Sequence, residues 1–117
     1  MASNWDQALF DQWIALREKS RLAGREKNYA DVVEISKKII ELSRRAPFIG
    51  IVVFLFERDI ADAYSKLGDT DAAIQYYRKA ISSLHEYRAT KRRDGPNSFL
   101  IDLEKMEKKV SKLEGKK

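Results

Sequence analysis

His85 is the only histidine and the chain has no cysteine. An imidazole can act as a general base near neutral pH, but it needs a nucleophile or a second acid at a spacing that brings the groups together. Leu84, Glu86 and Arg88 supply no nucleophile at such a spacing, so His85 reads as a surface residue of a helix. Without thiols, disulfides, thiolate zinc sites and a cysteine nucleophile fall away, and one imidazole leaves almost no nitrogen ligands for a transition metal. Asp69-Thr70-Asp71 begins like a calcium loop, yet the glycine and closing glutamate such a loop requires are missing, and helix capping accounts for the triplet. The five glycines are too few and scattered for a phosphate-cradling loop. No set of acid, base, nucleophile and oxyanion donor emerges, so the expectation is a chain without catalysis, cofactor or metal.

Charge is the remaining chemistry. Lys and Arg number 23 against 18 Asp and Glu, a net charge of +5. Residues 1–85 carry 13 basic and 12 acidic groups, residues 86–117 carry 10 and 6, so the excess sits in the last third. The densest cluster is Arg88, Lys91, Arg92 and Arg93. Cations there complement the carboxyl end of a helix dipole. They could also contact phosphates, but Tyr87 is the only aromatic available for stacking and no reading helix is recognisable. A nucleic-acid-associated accessory protein is therefore the alternative reading, and nucleic acid is not the expected ligand.

The elements that must position these groups are bounded by length and composition. A chain of 117 residues suits one domain spanning 1–117, and 44% hydrophobic with 35% charged residues sets aside both disorder and a membrane protein. The run Phe48 to Phe56 falls well short of the roughly 20 apolar residues that cross a bilayer, so it belongs in a core or an interface. Met1-Ala2-Ser3-Asn4 lacks the basic and apolar stretches of a secretory signal, which points to the cytoplasm.

Glycine and proline cut the chain into five pieces of helix length. Trp5, Leu9, Trp13, Leu16, Ser20 and Ala23 recur at steps of three and four, with Ser3 and Asp6 as a capping pair, and predict a helix over about 4–23 with the tryptophans in a core. Asn28 caps a second over 28–45, with Tyr29, Val32, Val33, Ile35, Ser36, Ile39, Ile40 and Leu42 on a broad apolar face. The β-branched run at Ile51 could be a buried strand. Continuation through Ile60, Ala61, Tyr64 and Leu67 favours a central helix over about 48–67 containing Ile51 to Phe56, with neighbours on both sides. Gly68-Asp69-Thr70 opens a fourth helix running to about Arg93, stopped by Asp94-Gly95-Pro96. Asn97 or Ser98 opens a fifth, with Phe99, Leu103, Met106, Val110 and Leu113 as a narrow seam suited to covering an open end.

Ile60-Ala61-x-x-Tyr64, then Gly68-Asp69, then Ala73-Ile74-x-x-Tyr77-x-x-Ala80-Ile81 together resemble a tetratricopeptide repeat (TPR). Small Ala61, Ala73 and Ala80 let two helices approach, while Tyr64 and Tyr77 fill the gaps. Glu57, where the family favours a large aromatic, and His85, where a proline often closes the unit, depart from the pattern. A weaker copy, Asn28-Tyr29-x-x-Val32-Val33-x-x-Ser36-x-x-Ile39-Ile40, lies 41 residues upstream, against a standard unit of about 34. Val32 and Ile39 replace small residues, so the first hairpin should pack less closely. The resemblance implies an all-α fold: antiparallel helical hairpins in a right-handed TPR-like array of about two repeats, closed by a C-terminal capping helix. A five-helix bundle containing one such hairpin is the competing architecture.

In the family, an extended peptide or partner helix lies along the first helix of each pair. Carried over, the resemblance places Ile14, Arg17 and Arg21, with Leu55, Arg58, Asp62 and Ser65, in a peptide-binding groove. Three arginines there would favour an acidic peptide or a free carboxyl terminus, because guanidinium forks pair bidentately with carboxylates. The asparagine and lysine pattern of chaperone-binding members is absent. The competing reading is a solvated face with Arg17 and Arg21 paired to Glu18 or free. Phe10 and Ile14 point away from the tryptophan stripe, and with the Phe48 to Phe56 run they leave apolar surface for self-association or a partner helix.

Overall fold

The computed structural model describes residues 5–90 and 99–115. The elements are α1 (Gln7–Arg25), α2 (Tyr29–Arg45), a 3-10 turn (Pro47–Ile49), α3 (Val53–Lys66), α4 (Thr70–Thr90) and α5 (Leu100–Glu114), with no strand among the described residues. Consecutive helices pack on one another, and α3 lies between α2 and α4 as its apolar pattern requires. The array is 53 × 34 × 19 Å across its Cα atoms, about two helices thick. Its radius of gyration is 15.2 Å, against about 13 Å for a rounded chain of this length, so stacked hairpins win over a globular bundle.

The two hairpins turn the same way. At the end of α3 the Asp69 N–H reaches the Tyr64 carbonyl and the Gly68 N–H the Ser65 carbonyl, with Gly68 left-handed at φ 85°. At the end of α1 the Asn28 N–H reaches Ala23 and the Lys27 N–H reaches Gly24, with Lys27 left-handed at φ 58°. Both are Schellman turns, and Lys27 and Gly68 stand at the 41-residue offset of the sequence repeat. Asn28 and Asp69 then cap the following helices, their side-chain oxygens accepting from the N–H groups of Asp31 and Ala72. Asp6 alone caps α1, accepting from Leu9; Ser3 lies outside the described residues.

Two clusters make the core. Ala23, Val32, Val33, Ile60 and Ala63 join α1, α2 and α3. Phe54, Ala61, Ala73, Tyr77, Ala80 and Leu84 join α3 to α4, and Leu103, Met106, Val110 and Leu113 seat α5 upon them. Ala61, Ala73 and Ala80 are wholly buried. Without side chains beyond Cβ they let the helix backbones close up.

Three expectations are corrected. Ile51 and Val52 lie outside the third helix: Gly50 at φ 73° ends the 3-10 turn, Val52 is extended, and α3 starts at Val53. A left-handed residue interrupts the helical hydrogen-bond ladder whatever the apolar pattern around it. The additional residues of the longer repeat are therefore this connection, 46–52. The tryptophan stripe of α1 is not core either. Trp5 is 49% exposed, Trp13 is half-buried, and Ala23 is the only buried residue of the helix. Among the described residues α1 has neighbouring helices on one side only. Finally, α5 begins at Leu100 after Phe99 in a left-handed conformation and without a side-chain cap. Asn97 and Ser98, like Lys91, Arg92, Arg93 and Asp94-Gly95-Pro96, lie outside the described residues.

Candidate functional site

The first helix of each hairpin and α5 face a common groove. Arg58 of α3 donates to Asp102 of α5 at 3.2 Å, and Lys109 of α5 donates to Asp62 of α3 at 2.9 Å. The separations, 44 and 47 residues, are nearly constant, so α3 and α5 run in the same direction. On the other side of α3, Trp13 of α1 meets Phe56 edge-on at 5.8 Å. The space enclosed is about 830 Å³. Arg17, Ser20 and Arg21 form its α1 wall, and Lys109, Lys112 and Leu113 its α5 wall. The floor is α3, through Phe56, Asp59, Asp62, Ser65 and Lys66, with Val32 and Tyr77 contributing from behind.

Of the residues assigned to a groove from sequence, Arg17, Arg21, Asp62 and Ser65 line this one. Ile14 is exposed on α1 outside it. Leu55 packs against the α3–α4–α5 core cluster, and Arg58, about 30% exposed, is held by Asp102 with Asp59 at 3.9 Å. The seam of α5 brings that helix over the amino-terminal half of α3 and takes Arg58 with it. Arg21 pairs with Glu18 at 2.8 Å on the exposed face, as the solvated-face reading has it, while Arg17 lies 6.0 Å over the Trp13 ring.

Sequence reasoning missed Lys109, Lys112 and Leu113 because the α5 seam showed that the helix covers something without showing which side of α3 it would reach. Asp59 and Lys66 were within reach: with Asp62 they stand at steps of three and four, a polar stripe along α3.

The charges of the floor are unequal in their partners. Asp62 accepts from the Tyr77 hydroxyl as well as from Lys109. Burial, reinforced by that hydrogen bond to the carboxylate, keeps the Tyr77 phenol protonated far above its ordinary range. Asp59, one turn earlier, has no hydrogen-bond donor among the described residues. Burial pushes its pKa up to about 6, the Asp62 charge adds to this, and Arg58 opposes it. Around these two carboxylates stand five cations, of which Arg17, Lys66 and Lys112 have no ion pair among the described residues. A groove of this kind attracts anions.

His85 is exposed on α4, and Asp69 serves as a cap. Among the described residues no group of three or more His, Asp or Glu could hold a metal ion, and no helix is long and apolar enough to cross a membrane.

Residues 59–83, the end of the α3–α4 hairpin together with its turn, match the family model of the tetratricopeptide repeat. The match covers one hairpin of the all-α array, and over that segment the chain is TPR-like. Neither a curated protein nor a solved structure matches it. The matched TPR segment holds the floor residues Asp59, Asp62, Ser65 and Lys66 and the buried Ala61, Ala73, Tyr77 and Ala80. A repeat of this type points to a protein–protein interaction module.

Proposed function

We propose that the chain works as one helical domain, non-catalytic and cytoplasmic, that holds an extended acidic peptide in the groove between α1, α3 and α5. The observation that carries this reading is the charge inventory of the groove: five cations against two carboxylates, one of which is already occupied by Lys109 and Tyr77. Arg17, Lys66 and Lys112 are left to receive carboxylates, either side chains or a free chain terminus. The apolar patches offered by Phe56, Val32 and Leu113 suit the side chains between them.

A suitable probe is a fluorescent, extended peptide carrying three acidic residues and a free carboxyl terminus. Reversal of Lys112 or Arg17 to Glu should weaken its binding about tenfold each, the lower range for a charge contact that is only partly desolvated. Reversal of Lys79, on the opposite side of the molecule's α4, should change little. Arg58→Glu should loosen α5 rather than act directly on the peptide, because Arg58 faces Asp102. Equal losses from Lys79→Glu and Lys112→Glu would place recognition elsewhere. Preferential binding of an RNA of equal charge, with affinity falling steeply in log salt, would replace this reading by the nucleic-acid one.

A further inference from the structure

In the stack of hairpins, α2 packs on α3, and α5 closes the α3–α4 hairpin. The outer side of the α1–α2 hairpin has no such cover among the described residues. A slot of about 360 Å³ runs there, between the first half of α1 and the second half of α2. Ala15, Leu16 and Leu42 floor it, and Lys19, Lys38 and Arg45 stand along its edges. Its one acid, Glu41, pairs with Arg44 at 3.4 Å, whereas the three edge cations have no ion pair among the described residues. Ala15 leaves room for close approach by another helix. Just beyond Arg45, Phe48 meets Trp5, which also meets Phe10, both at 4.9 Å between ring centroids, and Trp5 remains 49% exposed.

The molecule itself shows how a hairpin face is closed. On α3–α4 the cover is α5, which buries Leu103, Met106, Val110 and Leu113 at steps of three and four. Acids at its edges, Asp102 and Glu114, pair with Arg58 and Arg78 of the hairpin beneath.

We propose that the outer α1–α2 slot docks an amphipathic helix of a partner protein, one with an aliphatic seam bordered by acidic residues. A second copy of this chain fits less well. A two-fold contact through the slot would set Lys19, Lys38 and Arg45 of the copies against each other. A head-to-tail contact would bring up the outer side of α5, where Lys105 and Lys108 stand among Glu104 and Glu107, so it offers no acidic border to the cations of the slot. A nucleic-acid backbone would leave the aliphatic floor uncovered. The site shares no residue with the α1–α3–α5 groove and stands or falls independently of it.

The test uses the full chain, isotope-labelled, with a synthetic helical peptide of about 15 residues as probe, leucines forming its seam and glutamates bordering it. The control peptide has lysine at every glutamate. Binding of the acidic peptide should shift the amide resonances of Ala15, Leu16, Lys38 and Leu42. Ala15→Glu and Lys38→Glu, both at exposed positions where the circular dichroism should stay unaltered, should each weaken it about tenfold, and Lys112→Glu should not. The proposal is overturned by no binding, equal binding of the lysine peptide, shifts confined to the α1–α3–α5 groove, or stronger binding of oligouridylate to the same slot residues. Sedimentation showing a dimer that Ala15→Glu dissociates would overturn it in favour of a second copy.

Discussion

Replacing Asp59 by Asn tests the electrostatics of the groove through stability alone, with no ligand needed. The Asp59 carboxyl moves from its ordinary 3.8 to about 6 on folding, chiefly through burial and secondarily through Asp62 one turn away. A folded-state pKa above the unfolded one means that between pH 4 and 6 the native state holds more protons than the unfolded chain. Stability therefore falls as pH rises through this window and stays reduced above it. Two units correspond to about 3 kcal/mol at full value. The side chain is 37% exposed, so solvent screening lowers the expectation to about 1–2 kcal/mol. Urea unfolding followed by circular dichroism should find Asp59→Asn more stable than the parent by that amount at pH 8. The gain should shrink as pH falls through this window and vanish only well below pH 3.8, where the parent carboxyl is protonated in both states. A gain independent of pH, or a loss at pH 8, would refute the reasoning. The first would mean that the amide improves packing, the second that Arg58 and the cations of the groove favour the charged form more than burial disfavours it.

Three further outcomes follow from the packing and the turns. Lys27→Gly should stabilise the chain by about 1 kcal/mol in urea unfolding, since glycine relieves the left-handed strain at φ 58°, and Gly68→Lys should cost a similar amount at φ 85°. Burial raises the Glu57 pKa against the opposing Ser83 hydrogen bond, and one carboxylate oxygen has no partner in its buried position, so Glu57→Gln should gain stability at pH 7 but not at pH 4. Ile60→Ala, at a wholly buried residue of the α1–α2–α3 cluster, should cost about 2–5 kcal/mol by thermal or urea unfolding, while Leu22→Ala, at 52% exposure, should stay within about 0.5 kcal/mol.

Much of the architecture was present in local chemistry. Asn28 and Asp69 mark helix starts because their side chains accept hydrogen bonds from the N–H groups that a first turn leaves open, and Gly68 marks a stop because it takes a left-handed conformation without penalty. The alanines of the TPR segment and the spacing of Ile60, Tyr64 and Tyr77 encode a close helix crossing that is realised nearly residue for residue. These are interactions over four residues or fewer, or along one helix face, and they can be read from the chain order. Lys27 hid the equivalent turn, since its left-handed backbone is imposed by the hairpin around it and not by its own type. The start of α3 was hidden likewise: Ile51 and Val52 have the same apolar character as Val53, and the break comes from the backbone at Gly50. Whether Trp13 would be covered depended on how many elements stack beside α1, which periodicity within α1 does not record. The groove was decided at the longest range. Arg17, Arg21, Asp62 and Ser65 come together because α1 and α3 sit side by side, but Arg58 is withdrawn and Lys109 and Lys112 are added by the landing of α5, through contacts 44 and 47 residues apart. Helix faces follow from sequence; which face meets which, and so which charges share a site, follows only from the packing of the whole array.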